Sequence, residues 1–197
     1  EVVKRFMPTA MEPYEFNGKH YALPETQSFH MMFYRTDIFD ELGIEPPQTW
    51  EEFYSISSKM QRKNMEIGLP YSGSALTADS MSIFPTLLMQ RGGSYYAADK
   101  TKTLLSEELS ILTFIEWTEF YTLYSFPLVK DDYNRFRTGE MPLTIMPYTF
   151  YNQLMVAAPE IRNLWQMTNI PGTLKGDRSI DRSEAATGSG SVMLADA

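Results

Sequence analysis

The chain has 197 residues, 43% of them hydrophobic and 14% aromatic, enough for a sizeable buried core and too much for a disordered segment or a small stapled scaffold. A formal net charge of -8, from 17 Lys and Arg against 25 Asp and Glu, excludes a phosphate-tracking nucleic-acid surface, which needs basic side chains to displace counterions. Cysteine is absent, which excludes disulfides, thiolate nucleophiles and sulfur-ligated zinc.

The start, EVVKRFMPTAM, lacks the charged head and apolar segment of a secretory signal, and no apolar run is long enough for a membrane span. The first residue is not Met and the last run, SVMLADA, is strand-like without a closing turn, so the chain is expected to be a piece of a longer protein.

In chain order, His20 to Leu23 and Phe29 to Tyr34 read as extended segments, with the polar stretch Pro24 to Ser28 as a loop between them. Thr36 to Leu42 forms a short helix closed by Gly43, and Pro46 and Pro47 then forbid helix. Thr49 caps a helix running to about Asn64, with Glu52 at capping-box spacing. A helix is expected over Thr77 to Gln90, kinked at Pro85 and ended by Gly92 and Gly93. Ser106 caps a long helix to about Tyr124, in which Phe114, Trp117, Tyr121 and Tyr124 form the core stripe.

Asp131 to Thr138 is a short helix stopped by Gly139, and PLTIM, 142 to 146, is a buried strand running into Pro147 and Tyr148. Phe150 to Ala157 is helical. Leu164 to Ile170 is a strand ended by the Pro171 and Gly172 turn, GSGS at 188 to 191 is a flexible turn, and Ser191 to Ala195 is a last strand. Helices dominate with short strands between them, which gives an α/β lobe.

Little in this sequence carries covalent chemistry. His20 and His30 are ten residues apart on separate extended segments, without the spacing of a helical metal pair, and read as structural. The acid pairs Glu51/Glu52, Glu107/Glu108 and Asp131/Asp132 fall in first helical turns, where the helix dipole favours negative charge. Neither a phosphate-cradling loop nor a nucleophile elbow is present. What rises above background is polar and aromatic residues at element ends: Glu25, Thr26, Gln27 and Ser28; Asp79 and Ser80; and Tyr148, Phe150, Tyr151 and Asn152. Strand ends in α/β lobes are where pockets form, and flat rings beside carboxylates and amides suit the apolar face and hydroxyl rim of a sugar.

Residues 16 to 53, FNGKHYALPETQSFHMMFYRTDIFDELGIEPPQTWEEF, resemble the family 1 extracellular solute-binding proteins of ABC importers. There a G-K-x-Y-A-L-P strand is followed by Y-x-x-D-x-F-x-x-x-G-I-x-x-P-x-T-W-E-E. FRTGEMPLTIMPYTF is similar to the family's helix, strand and aromatic tip, and NIPGTLKGD followed by GSGSVML to its strand, turn and return segment, in a pattern distantly like that of maltose-binding protein.

The resemblance implies a periplasmic-binding-protein-like (type II) α/β fold, of which this chain is mostly the second of two lobes. Residues 1–28 would be the tail of lobe one and the first crossing, 29–187 lobe two, and 188–197 the return strand. It also implies a ligand-binding role, without enzymatic activity, cofactor or metal. The expected partners are a carbohydrate, an oligosaccharide above all, held in an interlobe cleft, and ABC permease subunits. The place would be the outer face of the cytoplasmic membrane or the periplasm, with membrane attachment only through an anchor outside this chain. Carried over residue by residue, the ligand side chains would be Glu25, Thr26, Gln27 and Ser28 at the first crossing, Asp79 and Ser80 at a helix start, Tyr148 and Tyr151 at the aromatic tip, and Gly188 and Ser189 at the second crossing. Two alternatives stay open at this point: a glycan-acting enzyme with paired carboxylates, and a solute-binding module fused to a permease or sensor.

Overall fold

The computed structural model describes residues 2–70, 82–128 and 131–193. The strands are β1 (Glu15–Phe16), β2 (Lys19–His20), β3 (Leu23–Ser28), β4 (His30–Arg35), β5 (Ile67–Gly68), β6 (Leu143–Pro147), β7 (Trp165–Thr168), β8 (Thr173–Leu174), β9 (Ile180–Asp181) and β10 (Thr187–Ser191). The helices are α1 (Pro8–Met11), α2 (Thr36–Leu42), α3 (Trp50–Gln61), α4 (Phe84–Gln90), α5 (Glu108–Thr122), α6 (Asp132–Thr138) and α7 (Phe150–Ala157).

The main sheet has the order β5-β6-β4-β7. β5 and β6 run parallel, while β4 is antiparallel to both β6 and β7. Helices cover both faces, which is why β4 reads as an unbroken apolar run instead of an alternating one. Met32 faces one side and joins Leu143 and Ile145 against Trp50 and Phe53 of α3 and Phe120 of α5. Phe33, the next residue, faces the other side and packs on Phe136 of α6 and on Phe150 and Leu154 of α7.

Polar ties fix the helices to this core. The buried Gln90 amide accepts from Trp50 Nε1 at 2.8 Å and from the Thr173 hydroxyl at 3.2 Å, and donates to the Pro171 carbonyl at 3.2 Å. Tyr54 donates its hydroxyl to Glu116 at 2.8 Å, and Arg91 pairs with the same carboxylate. Burial, followed by the Glu116 charge, pushes the Tyr54 phenol well above its ordinary range.

A second, separate sheet pairs β3 with β10 in antiparallel register, Thr187 opposite Ser28 and Ser189 opposite Thr26. Phe29 alone separates β3 from β4. Two expectations are corrected here. Pro24 to Ser28 is not a loop but most of β3, and the glycine-serine stretch is itself a strand, Thr187–Ser191, the last among the described residues, while Val192 and Met193 of the expected strand lie outside it. Residues 194–197 lie outside the described residues. Both strands are polar and largely exposed because they pair with each other away from the core, so no hydrophobic alternation betrays them.

Other boundaries shift for local reasons. Thr49 caps α3 as expected, accepting from the Glu52 N–H at 3.3 Å, but Glu52 reaches back to the Gln48 N–H at 2.6 Å, one residue beyond the capping-box partner. The helix stops at Gln61 instead of Asn64, which sits at φ +58°. α4 starts at Phe84, so Pro85 lies in its first turn, where a missing N–H costs nothing, and kinks no helix. Residues 77–81 of that expected helix lie outside the described residues. α5 starts at Glu108 with no side-chain cap from Ser106 or Glu107. Its buried positions are Ser110, Thr113 and Phe120, and Phe114, expected in the core, is half exposed.

Candidate functional site

The point where β3 passes into β4 is also where β6 ends and α7 begins. His30 lies opposite Pro147 in the β4–β6 ladder, and the Tyr148 N–H donates to the Phe29 carbonyl at 2.9 Å, carrying the pairing one residue past the strands. This bond brings the Phe29 and Tyr148 rings together, stacked at 5.4 Å between centroids. Pro147 biases Met146 to extended backbone and so fixes the direction in which Tyr148 leaves the sheet.

Helix α7 starts two residues later and places Tyr151 on the same side as Tyr148. The two rings are nearly parallel, 4° apart at 6.2 Å. Tyr151 in turn meets Trp165, the first residue of edge strand β7, edge to face at 5.8 Å. Four rings, Phe29, Tyr148, Tyr151 and Trp165, thus form a continuous row from the crossing to the sheet edge. Phe29 and Tyr148 are 36% and 40% exposed, so this end of the row offers ring surface to solvent. Beyond Tyr151 the row opens on a cavity of about 570 Å³, lined by Leu154, Met155, Trp165 and Met167, with Arg162 and Asn163 at its polar side. Phe150 turns the opposite way, into the core against Phe33 and Phe136, and Asn152 is exposed on α7.

The residues expected at the two crossings meet one another. Thr26 and Ser189 join their hydroxyls at 2.7 Å, and the Ser189 N–H donates to Thr26 Oγ1 at 3.2 Å. The Ser191 hydroxyl donates to Glu25 at 3.1 Å. Gln27 faces Gly188 across the ladder, and a Cβ at Gly188 would collide with the Thr26 carbonyl, so only glycine allows this approach of the strands. Ser28 pairs with Thr187 and is half-buried where β3 meets Phe29. Asp79 and Ser80 lie outside the described residues.

A further contact closes the crossing. Glu184, three residues before β10, accepts the His30 backbone N–H and lies 3.4 Å from Nδ1 of the His30 ring, which is 2% exposed. One carboxylate therefore grips the first residue of β4 while its own chain runs on into β10. Phe29, Trp165 and Glu184 were missed in the sequence. For Phe29 the available signal was its place as the single residue between β3 and β4, and Glu184 carried none. Among the described residues no three His, Asp or Glu side chains gather to hold a metal ion.

The chain's similarity to known proteins bears on this arrangement. The family model of the bacterial extracellular solute-binding proteins matches residues 3–192. The chain belongs to that family. It is 24% identical over 173 residues to a putative binding protein of Brucella abortus, covering 80% of this chain and 40% of the relative. It is 21% identical over 202 residues to an arabinooligosaccharide-binding protein of Halalkalibacterium halodurans, covering 98% of this chain and 43% of the relative. The fold matches that of an ABC transporter solute-binding protein of Thermotoga lettingae bound with α-D-tagatose, with a TM-score of 0.75 at 18% identity, covering 98% of this chain and 50% of that one. The chain thus spans about half or less of the length of the relatives it matches, and has the α/β fold of one part of such a protein. The family consists of binding proteins rather than enzymes, and they are extracellular. No helix among the described residues is long and apolar enough to cross a membrane.

Proposed function

We propose that this chain forms one wall and two crossings of an interlobe cleft that captures a neutral carbohydrate, an oligosaccharide in particular, for delivery to ABC permease subunits. Capture proceeds without chemical change, outside the cytoplasmic membrane. Residues 1–28 belong to the tail of lobe one, 29–187 to lobe two, and 188–197 to the strand returning to lobe one. The observation that carries this reading is the row of four rings starting at the crossing.

A row of apolar rings, three ring spacings long, matches linked sugar rings better than a compact solute. Each pyranose face is apolar, and its hydroxyl rim needs polar partners at the edge of the row. Tyr148 and Tyr151 supply apolar ring surface. Glu25, Thr26, Gln27, Ser28, Gly188 and Ser189 lie on the crossing pair. There, bending of two exposed strands brings a second wall over the ligand and excludes water. The name of the arabinooligosaccharide-binding relative agrees with an extended sugar.

The test is a thermal-shift panel of neutral mono- and oligosaccharides on the longer polypeptide that carries this chain. A cleft of this kind predicts selective stabilisation by one class of linked sugars, since a ligand at about 100 times its Kd adds roughly 2.7 kcal/mol to the folded state. Stabilisation by charged solutes alone, with no response to any sugar, contradicts the proposal.

A further inference from the structure

Helix α5 is apolar on the side that the rest of the described chain leaves open. Its inner side is fixed: Ser110, Thr113 and Phe120 are buried, and Glu116 binds both the Tyr54 hydroxyl and Arg91. On the opposite side Ile111, Leu112 and Ile115 are each about half exposed, and Phe114, also half exposed, meets Phe84 and Trp117 at the border. A helix that is apolar all round belongs in an interior. The patch is also confined. Thr118 and Thr122 continue the Ile111–Ile115 ridge in the last turns, and the Lys102–Glu107 ion pair lies just before the helix. An apolar area with a polar border marks a place where something packs.

We propose that the outer face of α5 seats a helix of the same polypeptide, drawn from the part of its relatives' length that residues 1–197 do not span. The relatives matched are about twice as long as this chain or longer, so they hold enough further structure to supply the cover. The Ile111–Ile115 ridge, spaced four residues apart, is the kind that interdigitates with a second helix. Charge argues against a second copy of α5 as the occupant. Glu116 is turned inward and paired with Arg91, but Glu108 and Glu119 remain on the outer part of the helix, which has no Lys or Arg, so two copies face to face would bring like charges together. The same charge defines the occupant, an amphipathic helix whose apolar stripe is bordered by Lys or Arg. This inference is independent of what the cleft binds.

Thiol labelling tests it, because this chain has no cysteine. Ile115→Cys and, separately, Leu112→Cys are placed in the longer polypeptide with any other cysteines replaced by serine, and Lys59→Cys serves as an exposed control. Both α5 thiols are expected to react at least about tenfold more slowly than the control, at any protein concentration, because only local opening exposes them. Labelling at the control rate in the longer polypeptide overturns the proposal. So does protection that appears only as concentration rises in step with dimer formation by light scattering, which assigns the face to a second copy. A mature polypeptide no longer than this chain by mass spectrometry overturns it as well.

Discussion

The four-stranded sheet and the β3–β10 pair are joined through one residue, Phe29, yet they are held by opposite means. In the sheet, Met32, Phe33, Leu143 and Ile145 are fully buried between helices on both faces. In the β3–β10 pair no residue is buried and most are exposed, and hydroxyl and carboxylate contacts join the strands: Thr26 with Ser189, and Glu25 with Ser191. Burial of apolar area scales with every methylene and resists displacement, whereas exposed hydrogen bonds exchange with water at little net cost. On the proposed reading, the sheet holds the aromatic row in place and the β3–β10 pair bends.

The contrast predicts unequal responses to mutation. Phe33→Ala, at the contact of β4 with α6 and α7, should cost about 3–5 kcal/mol in urea denaturation, as for large-to-small changes in tight cores. A loss below about 1 kcal/mol would show that the sheet is not the rigid element. Glu184→Ala removes the acceptor of the buried His30 N–H and should cost about 1–3 kcal/mol, the penalty of an orphaned buried donor. Its effect should appear as faster hydrogen exchange at His30 and in β10, with the β6 amides unchanged. Thr26→Val removes both exposed contacts of the hydroxyl with Ser189 and should cost about 1 kcal/mol. Even so, it should shift the balance of open and closed forms measured by small-angle scattering, and a variant with the native profile would argue against bending at this pair.

The smallest effect is a pH dependence in the β8–β9 hairpin. Hydrogen bonds from the Ser183 side chain and N–H, followed by the bond from Lys175, hold Asp181 down to about 2. Because that lies below the value of about 3.9 for an unfolded aspartate, the stabilisation is complete above about pH 4. It fades as pH falls through about 2. Hydrogen exchange of the hairpin amides should therefore differ between native protein and Asp181→Asn above pH 4, and the difference should close near pH 2. A constant difference across this range would assign the hairpin's stability to something other than the Asp181 charge.

How much of this was legible in the sequence follows the same division. The rigid part announces itself: the apolar run of β4, the proline-bounded β6 and the Thr49 cap of α3 were each readable from local chemistry. The bending part does not, because polar strands that pair outside the core carry no hydrophobic period, so β3 passed for a loop and β10 for a turn. Helix α5 misled for a third reason. Trp117, Tyr121 and Tyr124 of the expected stripe do pack against the core, but Phe114 lies at its border, half exposed against Phe84 and Trp117, because apolar residues on several sides blur the period. At the candidate site, the place of Tyr148 and Tyr151 directly after a strand marked two of the four rings. Phe29 and Trp165 join them only through the sheet register, a long-range feature that local pattern does not contain.

The central claim is that the row of rings is a sugar-binding wall held by a rigid sheet. Titration calorimetry of native protein and Tyr148→Ala, in the longer polypeptide and with the sugar selected by the panel, tests it most directly. The account predicts affinity lower by about tenfold, some 1.4 kcal/mol, with the melting temperature unchanged, because the ring is 40% exposed and lies outside the buried core. Unchanged affinity together with a lower melting temperature would contradict it.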